Sequence, residues 1–269
     1  MKKLLICLLA LMLTVPALAE APGGLRPRRD EAVEETPEVA ADVRFEGEGY
    51  ESPEEAVVAY LEALKKGDVE GMLATFAIET YVAEMDAQAD LARMGSFQPG
   101  YGMRQPLGGE YQRQVAVAVR YGQLAESLAY QWMLYSWPEG YKEFDGAAVI
   151  LSGDGAVEAF LADMAENDAA ERWQEMEIVG FVEPAELSDV YLDESNQQNI
   201  ARQAASYGCD ELVSVVAKLD IGGEEWYQCM AVARYGEKWY NLSLSGNIGA
   251  LMMLSTFTGC LVPASELML

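Results

Sequence analysis

"SPEEAVVAYLEALKKGD", Ser52 to Asp68, decides how this chain begins to fold. Ser52 carries an oxygen that accepts from the unpaired N–H groups of a helix start. Pro53 suits the first helical position, where its missing N–H costs nothing, and Glu55 completes a capping box. Val57, Tyr60, Leu61 and Leu64 recur at helical spacing and form a stripe to be buried, while Glu54, Glu62, Lys65 and Lys66 face water. Gly67 stops the helix. Asp68 caps the next one, in which Val69, Met72, Leu73 and Phe76 fall at i, i+3, i+4 and i+7.

Upstream, residues 20 to 50 are rich in Pro, Gly and Glu, with sparse apolar residues of no period. That composition predicts a disordered acidic linker. Before it, Lys2 and Lys3 precede the apolar run Leu4–Val15 and then Pro16-Ala17-Leu18-Ala19, which predicts a cleaved secretory signal over residues 1–19 and an exported, extracellular chain. The run is too short to span a bilayer, and no later stretch is long and apolar enough.

Downstream, a third helix is expected from Ile78 to about Met94, then a Gly- and Pro-rich loop over residues 95–109. Glu110 to Trp137 reads as one long helix, although "VAVAV" (Val115–Val119) also alternates like a strand. A short strand is expected at Ala147–Ser152 and a helix from Ala156 to about Glu166. Thereafter the period becomes two. Met176, Ile178 and Val182 mark one strand, a helix follows over Glu194–Ser206, and Val213, Val215, Ala217, Leu219 and Ile221 mark a second strand. Gly222-Gly223 signals a hairpin into a third strand, Trp226–Arg234, and Gly236-Glu237 turns the chain into "KWYNLSL". The tail from Ile248 to Ser255 reads as a short apolar helix packing back on the sheet. Helices first and a terminal antiparallel meander predict a single α+β domain over residues 51–269, with an enlarged helical middle section.

The full chain has 44 acidic and 18 basic residues, a net charge of -26. Such a field repels phosphate backbones and anionic lipid, so nucleic acid and membrane surfaces are poor partners. The chain contains no histidine, no CxxC pair and no calcium loop. Zinc sites of the ordinary kind and histidine-based triads are thereby excluded, and no cofactor is expected.

"SPEEAVVAYLEALKKGDVEGMLATF" and, at the far end, "YGEKWYNLSL" resemble the nuclear transport factor 2-like superfamily. Its members open on a helix of the form P-x-x-x-V-x-x-Y-x-x-A-x-x-x-x-D and close on strands ending in G-x-K/R-W. The likeness covers Ser52–Phe76 and Leu212–Leu244, and leaves the middle uncovered. It implies a curved sheet wrapped against helices into a cone, often with a pocket, and it says little about function. Enzymes of that superfamily place an acidic base in the cone, which would make this chain an isomerase- or cyclase-like enzyme on an apolar substrate. No Asp or Glu stands alone in an apolar strand stripe here, so no catalytic residue is assigned. The preferred expectation is a non-catalytic secreted or envelope-associated binding module, its partner an unknown small molecule or envelope protein.

If both turns hold two residues, Trp226, Gln228, Met230, Val232, Trp239 and Asn241 share one face. Aromatic walls with a few amides suit a ligand pocket, and equally an ordinary core. The aromatic residues between Tyr101 and Tyr141 pose the same choice between a sugar-stacking surface and core packing. Of the three cysteines beyond the leader, Cys209 and Cys260 are expected to form a disulfide, the tail returning along the sheet to bring them together. Cys229, mid-strand, is expected free and buried.

Overall fold

The computed structural model describes residues 44–97, 109–136, 155, 173–254 and 259–267. The expected leader, the linker as far as Val43, the strand at 147–152 and the helix at 156–166 lie outside these residues. The fold below is that of the unit Arg44–Leu269.

Helix α1 spans Pro53–Lys66, and Ser52 Oγ accepts from Glu55 N at 3.1 Å. The Glu55 carboxylate reaches back to Glu51 N (3.1 Å), one residue before the cap. Val57, Tyr60, Leu61 and Leu64 are fully buried. Gly67 ends the helix in a left-handed conformation, and Asp68 accepts from Gly71 N at the start of α2, Val69–Ala74.

The single helix expected after Ile78 is two: α3, Glu79–Glu84, and α4, Ala87–Phe97. Asp86 makes the break, because its carboxylate accepts from Gln88 N (2.8 Å) and Ala89 N (2.9 Å) and starts a new helix there. Helix α5, Glu110–Ser136, resolves the "VAVAV" ambiguity in favour of the helix.

The sheet is antiparallel and curved: β1 Glu177–Val182, β2 Glu211–Ile221, β3 Glu224–Tyr235 and β4 Lys238–Ser243 lie in that order. Between β1 and β2 run a short α6, Pro184–Leu187, and α7, Glu194–Tyr207. Gly222 and Gly223 have φ of 63° and 84°, as a tight hairpin turn requires. After α8, Gly246–Leu251, the chain adds β5, Leu261–Pro263, a three-residue strand that the sequence pattern did not reveal. β3 thus shares its second edge: β4 pairs with its C-terminal half and β5 with Trp226–Gln228.

Both faces of the sheet are covered. Val215, Ala217, Leu219, Trp226, Met230 and Val232 pack on α1 and on Leu124 and Leu128 of α5. Val216, Tyr227 and Cys229 face the other way, toward Ile248 of α8, Cys260 and Val262. Beyond them, Ala231, Ala233, Tyr240 and Leu242 meet Ala77 and Tyr81. Burial on both sides explains why β3 reads as nearly continuous apolar sequence.

The folded unit begins earlier than Ser52, which corrects the linker boundary. Tyr50 and Trp239 exchange backbone hydrogen bonds of 2.9 Å in each direction. Buried Glu46 accepts from Ile78 N (2.8 Å) and Thr80 N (2.9 Å), while Glu79 accepts from Phe45 N (2.7 Å) and Glu46 N (3.1 Å). Glu46 caps α3 and Glu79 ties the incoming segment to it, roles their charge alone did not disclose.

Gly208 ends α7 at φ 68°, and a Cβ there would stand 1.8 Å from Glu84 O. Gly223 has φ 84° with open space around it. Gly208→Ala should therefore cost clearly more than Gly223→Ala, whose penalty is the left-handed backbone alone, about 1–2 kcal/mol. Urea unfolding of the two variants checks this; equal losses would show that α7 does not pack on α3 as described.

Candidate functional site

The register places Asn241 opposite Val232 and Trp239 opposite Arg234, so the expected pocket residues do share one face. The face is not open. Trp226, Gln228, Met230, Val232 and Asn241 are all 0% exposed, and Trp239 packs partly buried against the same cluster.

What fills the space is a line of hydrogen bonds. Tyr60 Oη on α1 bonds Gln131 Oε1 on α5. Gln131 Nε2 donates to Gln228 Oε1 on β3 at 3.0 Å. Gln228 Nε2 donates in turn to Gly259 O (2.6 Å) and Cys229 O (3.1 Å). Four separate stretches of chain meet in it. Gln131 escaped notice in the sequence, yet it lies three and seven residues beyond Leu128 and Leu124, on the buried stripe of α5. An amide on such a stripe is the signal that could have found it.

Asn241 is a second internal tie. Its Nδ2 donates to Ala56 O (2.7 Å) and Thr75 Oγ1 (3.0 Å), and its backbone bonds Thr75 O and Ala77 N. Its Oδ1 has no hydrogen-bond donor among the described residues. Asn241 therefore joins β4 to α1 and to the end of α2.

The buried carboxylates among the described residues are Glu46 and Asp90. Glu46 is held by α3 as above, and Asp90 pairs with Arg93 at 3.2 Å. Neither joins the Tyr60–Gln131–Gln228 line. Among the described residues, no group of three or more Cys, Asp or Glu is placed to hold a metal ion, and no helix is long and apolar enough to cross a membrane.

The expected Cys209–Cys260 bridge is not formed, and no disulfide joins Cys209, Cys229 and Cys260. Asp210, next to Cys209, bonds the Arg234 carbonyl, whereas Cys260 O accepts from Cys229 N. Five residues of β3 separate these points, roughly 17 Å along a strand. A disulfide tolerates a Cα separation of about 7 Å at most. The tail does not return toward Cys209: β4 pairs with Ala231–Tyr235 and β5 with Trp226–Gln228, so the chain runs on along the same edge of β3, away from Cys209. Burial raises all three thiols, Cys209 to about 11 and Cys260 to about 12.

An accessible concavity lies elsewhere among the described residues, on the outer side of α5. A groove of about 750 Å³ runs between α3 and α5, with Tyr81, Val82 and Met85 on one wall and Tyr111, Val115 and Val119 on the other. Tyr111 is 78% exposed and Val119 52%. Arg113 and Arg120 also line it, and among the described residues no Asp or Glu does, although Glu110 pairs with Arg113 at 3.8 Å. Arg120 sits 4.5 Å from the centre of the Tyr81 ring and donates to Leu242 O and Ala77 O. Burial lowers its pKa, and the same enclosure raises those of Tyr207 and Tyr235. Of the aromatic residues between Tyr101 and Tyr141, Trp132 stacks on Trp173 at 5.9 Å, as core packing predicts. Tyr111 is the exposed one, whereas Tyr101 and Tyr141 lie outside the described residues.

No family model and no curated protein matches the chain. Among solved structures it is similar to a cystatin-like protein from Ruminococcus gnavus ATCC 29149, at 13% identity and a TM-score of 0.39, covering 78% of this chain and 44% of that one. The chain thus spans less than half of that protein's length, and a likeness of this size identifies no family.

Removing one amide from the interior line strands its partner's polar atoms in the core. Gln131→Leu and Gln228→Leu should each cost about 1–3 kcal/mol. The double variant should cost less than their sum, because the second change removes a group already left unpaired. Thermal unfolding checks both statements, and near-zero losses would mean that water reaches the line.

Proposed function

We propose that the protein is an exported, non-catalytic binding module of the nuclear transport factor 2-like type, acting at the cell envelope through the groove on its outer side. The leader-like residues 1–19 support export, and the opening helix with the closing G-E-K-W strand supports the fold type. The observation that carries the reading is the closed interior. A pocket isomerase or cyclase needs an open cavity, a carboxylate of raised pKa and an oxyanion donor facing it. Here the corresponding space is occupied by Tyr60, Gln131 and Gln228, which spend their polar atoms on one another and on backbone carbonyls.

The outer groove has the attributes that the interior lacks. Its volume lies within the range of small-molecule sites, roughly 300–1,000 Å³. Its apolar wall is exposed, and Arg113, which pairs with Glu110 at 3.8 Å, and Arg120 bring positive charge to it on a chain of net charge -26. A ligand or partner segment with an apolar body and an acidic group matches that combination, while a polyanion would be repelled by the remainder of the surface.

Native mass spectrometry of the protein recovered from its own culture tests this reading. The expected spectrum shows either the bare chain or an adduct that Val115→Asp removes. An apolar adduct that survives Val115→Asp would reveal an internal cavity and favour the pocket enzyme.

A further inference from the structure

We propose that Cys229 and Cys260 form a disulfide that clamps β5 to β3. The β3–β5 register pairs Trp226 with Pro263, Tyr227 with Val262 and Gln228 with Leu261, and one further step sets Cys229 opposite Cys260. The Cys229 N–H donates to Cys260 O at 3.1 Å, which carries the hydrogen bonding of the ladder one step beyond β5, to a residue that enters the strand from a turn at φ 52°. The alternation agrees, because Pro263 then falls at a position where no N–H is required. Residues opposed in this way have Cα atoms about 5.5 Å apart, inside the 4.4–6.8 Å span of disulfides.

The side chains also meet. Cys229 and Cys260 are both 0% exposed and belong to one apolar cluster with Val216 and Ile248. The sulfur of Cys260 lies under Gly249 of α8, where a Cβ would stand 3.0 Å from Sγ. A larger residue there would press on that sulfur. The thiolate of Cys229 is disfavoured by Cys260 as well as by burial, which places the two groups within electrostatic reach of each other. Cys209 lies at the far end of the ladder and takes no part.

The structure shows the dithiol form. Oxidation requires an acceptor, and a small disulfide such as oxidised glutathione supplies it. One cysteine thiolate attacks that disulfide, forming a mixed disulfide and expelling one glutathione thiolate. The second cysteine then displaces the second glutathione. Two S–H protons and two electrons leave the protein, one S–S bond forms, and one glutathione disulfide becomes two thiols. Because burial holds both thiols protonated in the folded chain, the exchange belongs to folding, before β5 docks.

The bond would enclose β4 and α8 in a covalent loop and fix Gly259 O, the neighbour of Cys260, at Gln228 Nε2. It follows from strand register alone and stands whether or not the outer groove binds anything.

The full chain, unfolded with reductant and refolded in a mixture of reduced and oxidised glutathione, is alkylated without reductant and weighed intact. The expected product carries label on Cys7 and Cys209 only. After removal of reductant, its peptide map contains a 229–260 cross-link lighter than the two free peptides by two hydrogen atoms. Reduction should lower its melting temperature by roughly 5–10 °C. A Cys229→Ala/Cys260→Ala chain should melt at the same temperature with and without reductant. Label on all three of Cys209, Cys229 and Cys260, or a cross-link that includes Cys209, overturns the proposal. The map of the unmutated chain decides this even if the double variant fails to fold.

Discussion

A single line of hydrogen bonds, from the Tyr60 hydroxyl through Gln131 and Gln228 to the Gly259 carbonyl, joins the first helix, the long central helix, the middle strand and the C-terminal return. Each polar atom in it would cost on the order of 1–3 kcal/mol if left buried and unpaired. The line therefore forms only when all four elements are in place together. It is flanked by Trp226, Met230, Leu128 and Leu61, so no water is needed to satisfy it. The same constraint supports the binding-module proposal, because a carboxylate and a substrate cannot occupy space that two amides and a phenol already fill.

Much of the fold was legible in the chain. The residues Ser52, Pro53, Gly67 and Asp68 announce two helices through capping chemistry that depends on near neighbours alone. Gly222-Gly223 announces its hairpin for the same reason, since both positions take positive φ. What escaped was set by partners distant in sequence. β5 is three residues long and exists because Trp226–Gln228 offer it an edge. The segment entering at Arg44 looks like linker by composition, and it is held in place because Glu46 finds the amides of Ile78 and Thr80.

The site was legible in part. Alternation brought Trp226, Gln228, Met230 and Asn241 to one face correctly, but alternation says nothing about what stands opposite. Gln131 and Tyr60 close the space, one from more than ninety residues upstream of Gln228 and one from farther still. The cysteines show the same limit: the apolar residues of the tail foretold that it packs on the sheet, but the direction it takes, onward along the edge of β3 to Cys229 and not back to Cys209, depends on pairing. The groove between α3 and α5 arises from the break at Asp86, which a continuous apolar period conceals.

The central claim, that the interior is closed and dry, is tested most directly by amide hydrogen exchange of the Gln131 and Gln228 side chains, read by NMR in the folded protein. The account predicts that both side-chain NH₂ groups persist in deuterated solvent for as long as the backbone amides of β3, since each opens only with the fold. Exchange as fast as that of a surface glutamine would show water in the line and contradict it.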